Sequence, residues 1–127
     1  MKYSITYLFF LFLFLSCESS FKTPKETVVA YIAATNRFDI KNAEKLLIPT
    51  PANKLNLETL KKMEKSLPDD QKARFLNKEK NAEYFEKTIT DSTAQIIVTP
   101  NQEVVFTMEF NLKKVNNKWL IESVISH

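Results

Sequence analysis

The sequence predicts an α+β domain: helices come first, and an antiparallel sheet of about four strands follows. Two observations carry this. Apolar residues recur at spacings of three and four up to about Asn81, then at a spacing of two from Glu83 onward. The segments of the second half are separated only by short turn-forming clusters, Asp91-Ser92, Thr99-Pro100-Asn101-Gln102 and Asn116-Asn117. Such connections can join antiparallel neighbours but are too short for a parallel crossover. Glycine is absent from the chain, so Asn, Asp, Ser and Pro must make its turns.

The first stretch is an address rather than a domain. Lys2 supplies a positive start, Ile5 to Leu15 is apolar and uncharged, and the chain turns polar at Glu18, Ser19 and Ser20. This is the layout of a secretory signal. Phe14-Leu15-Ser16-Cys17 resembles a bacterial lipobox, which makes Cys17 the lipidated residue and the new N-terminus after removal of residues 1–16. A plain cleaved signal and an uncleaved anchor are the alternatives. The uncleaved anchor is disfavoured by length, because a spanning helix needs about 20 apolar residues. Residues 17–22 are then a lipidated tether, and residues 23–127 form a single domain.

Thr23-Pro24-Lys25-Glu26 announces the first helix. Thr23 is placed to cap, Pro24 fits the first helical position, and Glu26 can complete a capping box. Val28, Val29, Ile32 and Ala33 form its expected apolar stripe, flanked by Tyr31, and the helix should end near Asn36 or Arg37. Asp39 can cap a second helix, Ile40 to Leu47, buried through Ala43, Leu46 and Leu47. Ile48-Pro49-Thr50-Pro51 ends it. A third helix is expected to start at Asn53 or Asn56 and to bury Leu57, Leu60 and Met63. Pro68-Asp69-Asp70 restarts it, running to about Lys80. Strands follow at Glu83–Thr90 and Thr93–Thr99. A long strand over Gln102–Val115 turns Val104, Phe106, Met108, Phe110 and Leu112 to one face. The last strand, Lys118–Ser126, should bury Trp119, Ile121 and Ile125.

Chemistry is sparse. The formal charge is +3, or +2 once Lys2 leaves, and the lysines are interspersed with acids, which argues against nucleic acid as a partner. The one cysteine forms no disulfide within the chain, and the one histidine, His127, is its last residue, a poor place to fix a base. No metal site is expected: Cys17 is committed to lipid, and Asp69-Asp70 reads as a charge-matched helix start. No cofactor is expected either, since the usual phosphate-cradling loop needs glycine. Asp39 is the leading candidate for catalysis, although capping explains it more simply. Glu109 falls on the wet face of its strand. Tyr31, Phe38, Phe85, Phe106, Met108, Phe110 and Trp119 are the candidate pocket-lining residues, and a filled core is their simpler explanation.

Thr23-Pro24-Lys25-Glu26-Thr27-Val28-Val29-Ala30-Tyr31 and Asn36-Arg37-Phe38-Asp39, followed by Ala43, Glu44, Leu46 and Leu47, carry a resemblance. They resemble the opening of small bacterial lipoproteins with a nuclear-transport-factor-2-like (lumazine-binding-like, cystatin-like) domain. Phe110 to Ile121, with Lys118-Trp119 after the turn, is similar to the final hairpin of that family, although Asn-Asn replaces its frequent Asp-Gly. The resemblance implies a cone of helices packed into a strongly curved sheet, often with a pocket at the open end. It does not imply a function, because the family includes enzymes, ligand binders and interaction modules. The expectation is therefore a membrane-anchored cell-envelope lipoprotein with a non-catalytic domain. Its partner would be an unknown envelope protein or a small apolar ligand. The alternative is a hydrolase- or isomerase-like enzyme using Asp39. Glu18 after the lipid cysteine leans the location to the outer membrane.

Overall fold

The structure, a computed structural model, describes residues 22–100 and 106–127. The signal segment 1–16, Cys17 and Val104 lie outside the described residues, as does the expected strand start at Gln102. Among the described residues, four helices, α1 (Pro24–Asn36), α2 (Ile40–Lys45), α3 (Pro51–Ser66) and α4 (Asp69–Ala73), are followed by a 3-10 turn, Lys78–Asn81. Four strands complete the chain: β1 (Glu83–Ile89), β2 (Thr93–Thr99), β3 (Met108–Val115) and β4 (Lys118–Ser126). They form one antiparallel sheet in the order β1-β2-β3-β4, so the fold is α+β with helices on one face.

α1 starts as its sequence dictates. The Glu26 amide donates to Thr23 Oγ1 at 3.1 Å, and Pro24 occupies the first turn. The Glu26 carboxylate accepts from the Lys22 amide at 3.4 Å, one residue before the position a capping box would use. The buried stripe is Pro24, Thr27, Val28, Tyr31 and Ala34; Val29, Ile32 and Ala33 are only half-buried. The helix is thus rotated from the apolar spacing, and the cause is Thr27. Its hydroxyl donates to the Trp119 carbonyl at 3.2 Å, which makes a polar residue a core residue.

α1 ends in a Schellman motif whose left-handed residue is Phe38, at φ 58°. The Phe38 amide donates to the Thr35 carbonyl at 3.1 Å and the Asp39 amide to the Ala34 carbonyl at 2.9 Å. This conformation costs an ordinary residue about 1–2 kcal/mol. Burial of the Phe38 ring, edge-on to Phe75 at 5.9 Å, offsets that cost.

α2 is shorter than expected. Leu47 leaves the helix to form a parallel bridge with Ile121 of β4. α3 begins two residues before the expected Asn53, with Thr50 accepting from the Asn53 amide at 3.1 Å and Pro51 in the first turn. This is the same Thr-Pro signal that opens α1. Only Asn53 and Leu57 of α3 are buried; Leu60 is half-buried and Met63 exposed. α4 stops at Ala73, well short of Lys80, and Asn77 turns left-handed at φ 65° before the 3-10 turn.

The core faces of the strands are Ala94, Ile96 and Val98 of β2, Phe110 and Leu112 of β3, and Trp119 and Ile121 of β4. Two expectations fail here. Phe106 lies ahead of β3 and is 48 % exposed. Ile125 is 41 % exposed because β4 carries a bulge: Leu112 pairs with Ile121 but Asn111 with Ser123, which leaves Glu122 extra. One added residue reverses the alternation, so Val124 turns to the core and Ile125 away. β1 has a similar irregularity between Glu86 and Thr88. Such bulges bend strands and give the sheet its curvature.

Two outcomes test this account by urea melts of a chain beginning at Glu18. Phe110→Ala should cost about 3–5 kcal/mol and Ile125→Ala less than about 1 kcal/mol. Comparable losses would mean that the bulge has been misplaced. Asn116 and Asn117 turn the last hairpin at φ 52° and 64°. Asn117→Ala should therefore cost about 1–2 kcal/mol, whereas Asn117→Gly should cost nothing.

Candidate functional site

The main apolar cleft lies at one end of the helical layer, where α1, the 3-10 segment and the sheet meet. Ile32 and Asn36 come from the last turns of α1. Phe75, Lys78, Asn81 and Ala82 come from the chain that folds back after α4, and Val98, Pro100, Phe106 and Met108 from the sheet and its margin. Val98 and Met108 are cross-strand partners, which sets them side by side on the face turned to the helices. The volume is about 340 Å³, at the small end of ordinary ligand pockets.

Part-buried polar contacts brace the wall behind this cleft. Asn36 Nδ2 donates to Glu79 Oε1 at 3.2 Å, and the Tyr84 hydroxyl donates to the Glu79 carbonyl at 2.8 Å. Burial first, and the Glu79 charge second, raise the Tyr84 pKa, so its hydroxyl remains a donor at neutral pH. Lys78 Nζ lies 5.4 Å from the centre of the Phe75 ring. It is the single charged side chain among the described lining residues, which include no carboxylate.

The sequence-derived candidates separate into groups. Phe106 and Met108 line the cleft. Tyr31, Phe38, Phe110 and Trp119 are buried, with Tyr31 edge-on to Phe110 at 6.0 Å. Phe85 is 63 % exposed, on the sheet face away from the helices and opposite Ile97. Cys17 is outside the described residues. Ile32, Asn36, Lys78, Asn81, Ala82, Val98 and Pro100 line it without being among the sequence-derived candidates. No spacing in the sequence brings Lys78 toward Met108; they meet because α4 ends early and the chain reverses at Asn77.

Asp39 is not in the cleft. It caps α2, with Oδ1 accepting from the Asn42 amide at 3.3 Å and Oδ2 from Asn42 Nδ2 at 2.6 Å. Arg37 reaches Oδ2 at 3.3 Å. The Asn42 side chain, then its amide, then Arg37 hold the Asp39 carboxyl below its ordinary value. Glu109 accepts from Asn111 Nδ2 at 3.3 Å, and His127 is exposed, its amide donating to the Thr107 carbonyl. Among the described residues no three His, Cys, Asp or Glu side chains are grouped to hold a metal ion.

Folding lowers the Asp39 pKa from 3.8, so the unfolded chain binds this proton more readily. The cap therefore contributes fully above that value, and its contribution is lost as pH falls through the lower folded one. Between about pH 5 and pH 2 the wild type should lose more stability than Asp39→Asn. Parallel losses in denaturant melts would show that the carboxylate charge is not what caps α2.

No family model and no curated protein matches this chain. Among solved structures, the chain is similar to an NTF-2-like protein of unknown function from Shewanella oneidensis MR-1. The identity is 14 %, the TM-score 0.49, and the match covers 82 % of this chain and 98 % of the other.

Proposed function

We propose that the protein is a membrane-anchored cell-envelope lipoprotein whose domain binds a small apolar or amphiphilic ligand without catalysis. The observation that carries the binding reading is the cleft itself. Val98 and Met108 line it together with Ile32, Phe75 and Phe106, and Lys78 is the one charged group among its described lining residues. Such a lining desolvates a hydrocarbon body and offers a cation to an acidic head. Its described lining residues include no acid to serve as a general base, and Asp39, the alternative catalyst, is a cap whose depressed pKa makes it a weaker base. The lipobox-like Phe14-Leu15-Ser16-Cys17 supports the anchor, and Glu18 favours the outer membrane.

The two parts are separable by experiment. A radioactive fatty acid fed to expressing cells should label the wild type and leave Cys17→Ser unlabelled; equal labelling would remove the anchor. Octanoate added to the protein should shift the Met108 methyl resonance in a saturable way. Lys78→Glu should weaken that binding by about tenfold or more, as expected for a lost charge-assisted contact. Octanoate that leaves the Met108 methyl unmoved would remove the cleft reading.

A further inference from the structure

One end of the domain is assembled from three separate parts of the chain. Lys22 and Pro24 at the start of α1, Ile89 and Asp91 at the β1–β2 turn, and Lys114 and Trp119 beside the last hairpin turn line one open hollow. Two hydrogen bonds tie these parts together. The Lys114 amide donates to the Ser92 carbonyl at 2.8 Å, and the Thr27 hydroxyl donates to the Trp119 carbonyl.

The apolar cleft is at the other end of the same elements. α1 lines the hollow with Pro24 and the cleft with Ile32 and Asn36, and β3 lines the cleft with Met108 and the hollow with Lys114. β2 begins beside the Asp91 turn and places Val98 in the cleft. With 13 residues, α1 is about 20 Å long. β3, with 8 residues, is about 26 Å long.

These lengths exceed the reach of the tether. The reading of Cys17 as the lipidated residue, on which this inference rests, sets the anchor five residues before Lys22. Five residues span at most about 17 Å when fully extended. Roughly 5 Å of that is used in crossing the headgroup layer. Lys22 is itself held to α1, its amide donating to the Glu26 carboxylate at 3.4 Å. Pressing the cleft end onto the anchoring bilayer would lift Lys22 away from it by about the length of α1, roughly 20 Å, more than the tether can supply.

We propose that the end around Lys22, Ile89 and Lys114 faces the headgroups of the anchoring membrane and that the cleft opens on the opposite, aqueous side. The ligand then enters from the aqueous space and is not drawn directly from the bilayer that holds the protein. The charges of this end are balanced, Lys22, Lys114 and Lys118 against Glu26, Glu86 and Asp91, so the tether and not electrostatic attraction selects the face. Ile89, 46 % exposed, is the apolar side chain brought nearest the membrane with it.

The test places the full lipidated chain in nanodiscs of phosphatidylethanolamine and phosphatidylglycerol that carry a gadolinium-chelating lipid. Methyl NMR reads it, because gadolinium broadens only the signals close to it. Compared with lutetium discs, the Ile89 methyl signals should be lost and the Met108 methyl signal retained. Inserting a long Ser- and Asn-rich stretch between Ser20 and Phe21 should remove the difference between the two, because a long flexible tether leaves either end free to approach. In the wild type, equal broadening of both residues, or loss of Met108 with retention of Ile89, would overturn the orientation while leaving the anchor in place. A difference that survives the insertion would overturn the role given to the tether. A mass spectrum showing Cys17 without acyl chains would remove the anchor, and this orientation with it.

Discussion

The helical layer is fastened to the sheet along the free edge of β4, and the rest of the structure is arranged around that seam. The Ile121 amide donates to the Leu46 carbonyl at 2.8 Å, and the Ile48 amide donates to the Ile121 carbonyl at 2.8 Å. Asn53 adds its side-chain donors to the same stretch, and Thr27 reaches the Trp119 carbonyl. Each contact occupies a backbone group that an edge strand would otherwise leave open. The seam also explains why α2 is short: Leu47 serves as a strand-like partner for Ile121, so it cannot stay in the helix. It sets the rotation of α1 as well, through Thr27.

The opposite edge is managed differently. Among the described residues β1 has no partner beyond it in the sheet, and most of its residues are exposed. It carries Glu83, Glu86 and Lys87, with a break in register beside Lys87. Charge and a bulge are common devices for discouraging another chain from adding to an edge. One edge is thus closed by the protein's own helices and the other by an irregular, charged surface.

Much of this architecture was legible in the sequence, because its signals are local. Thr23-Pro24 and Asp39 gave correct helix starts, and Thr93–Thr99 and Lys118–Ser126 have the expected bounds. The change of period at Glu83 fixed the order of helices and strands. What was not legible depends on distant partners. The bulge at Glu122 has no mark in β4 itself, yet it decides which way Ile125 points. Thr27 is not marked by its own stretch and Asn53 reads only as a helix start; both are buried, because the carbonyls that satisfy them are on β4, far along the chain. The main cleft was half legible: Phe106 and Met108 were candidates, whereas Lys78 and Asn81 arrive by a reversal that apolar spacing does not encode.

The absence of glycine has a thermodynamic side. Phe38, Asn77, Asn116 and Asn117 all hold positive φ, where a glycine would be free of steric penalty. Each position accepts some native strain, yet the same choice narrows the unfolded ensemble, because a side chain restricts the conformations a disordered residue can visit. Less chain entropy is then lost per residue on folding. A domain this small has a modest apolar core to set against that loss. The strained turns and the narrowed ensemble are two aspects of one compositional choice, and the second acts at every residue while the first, among the described residues, is confined to four.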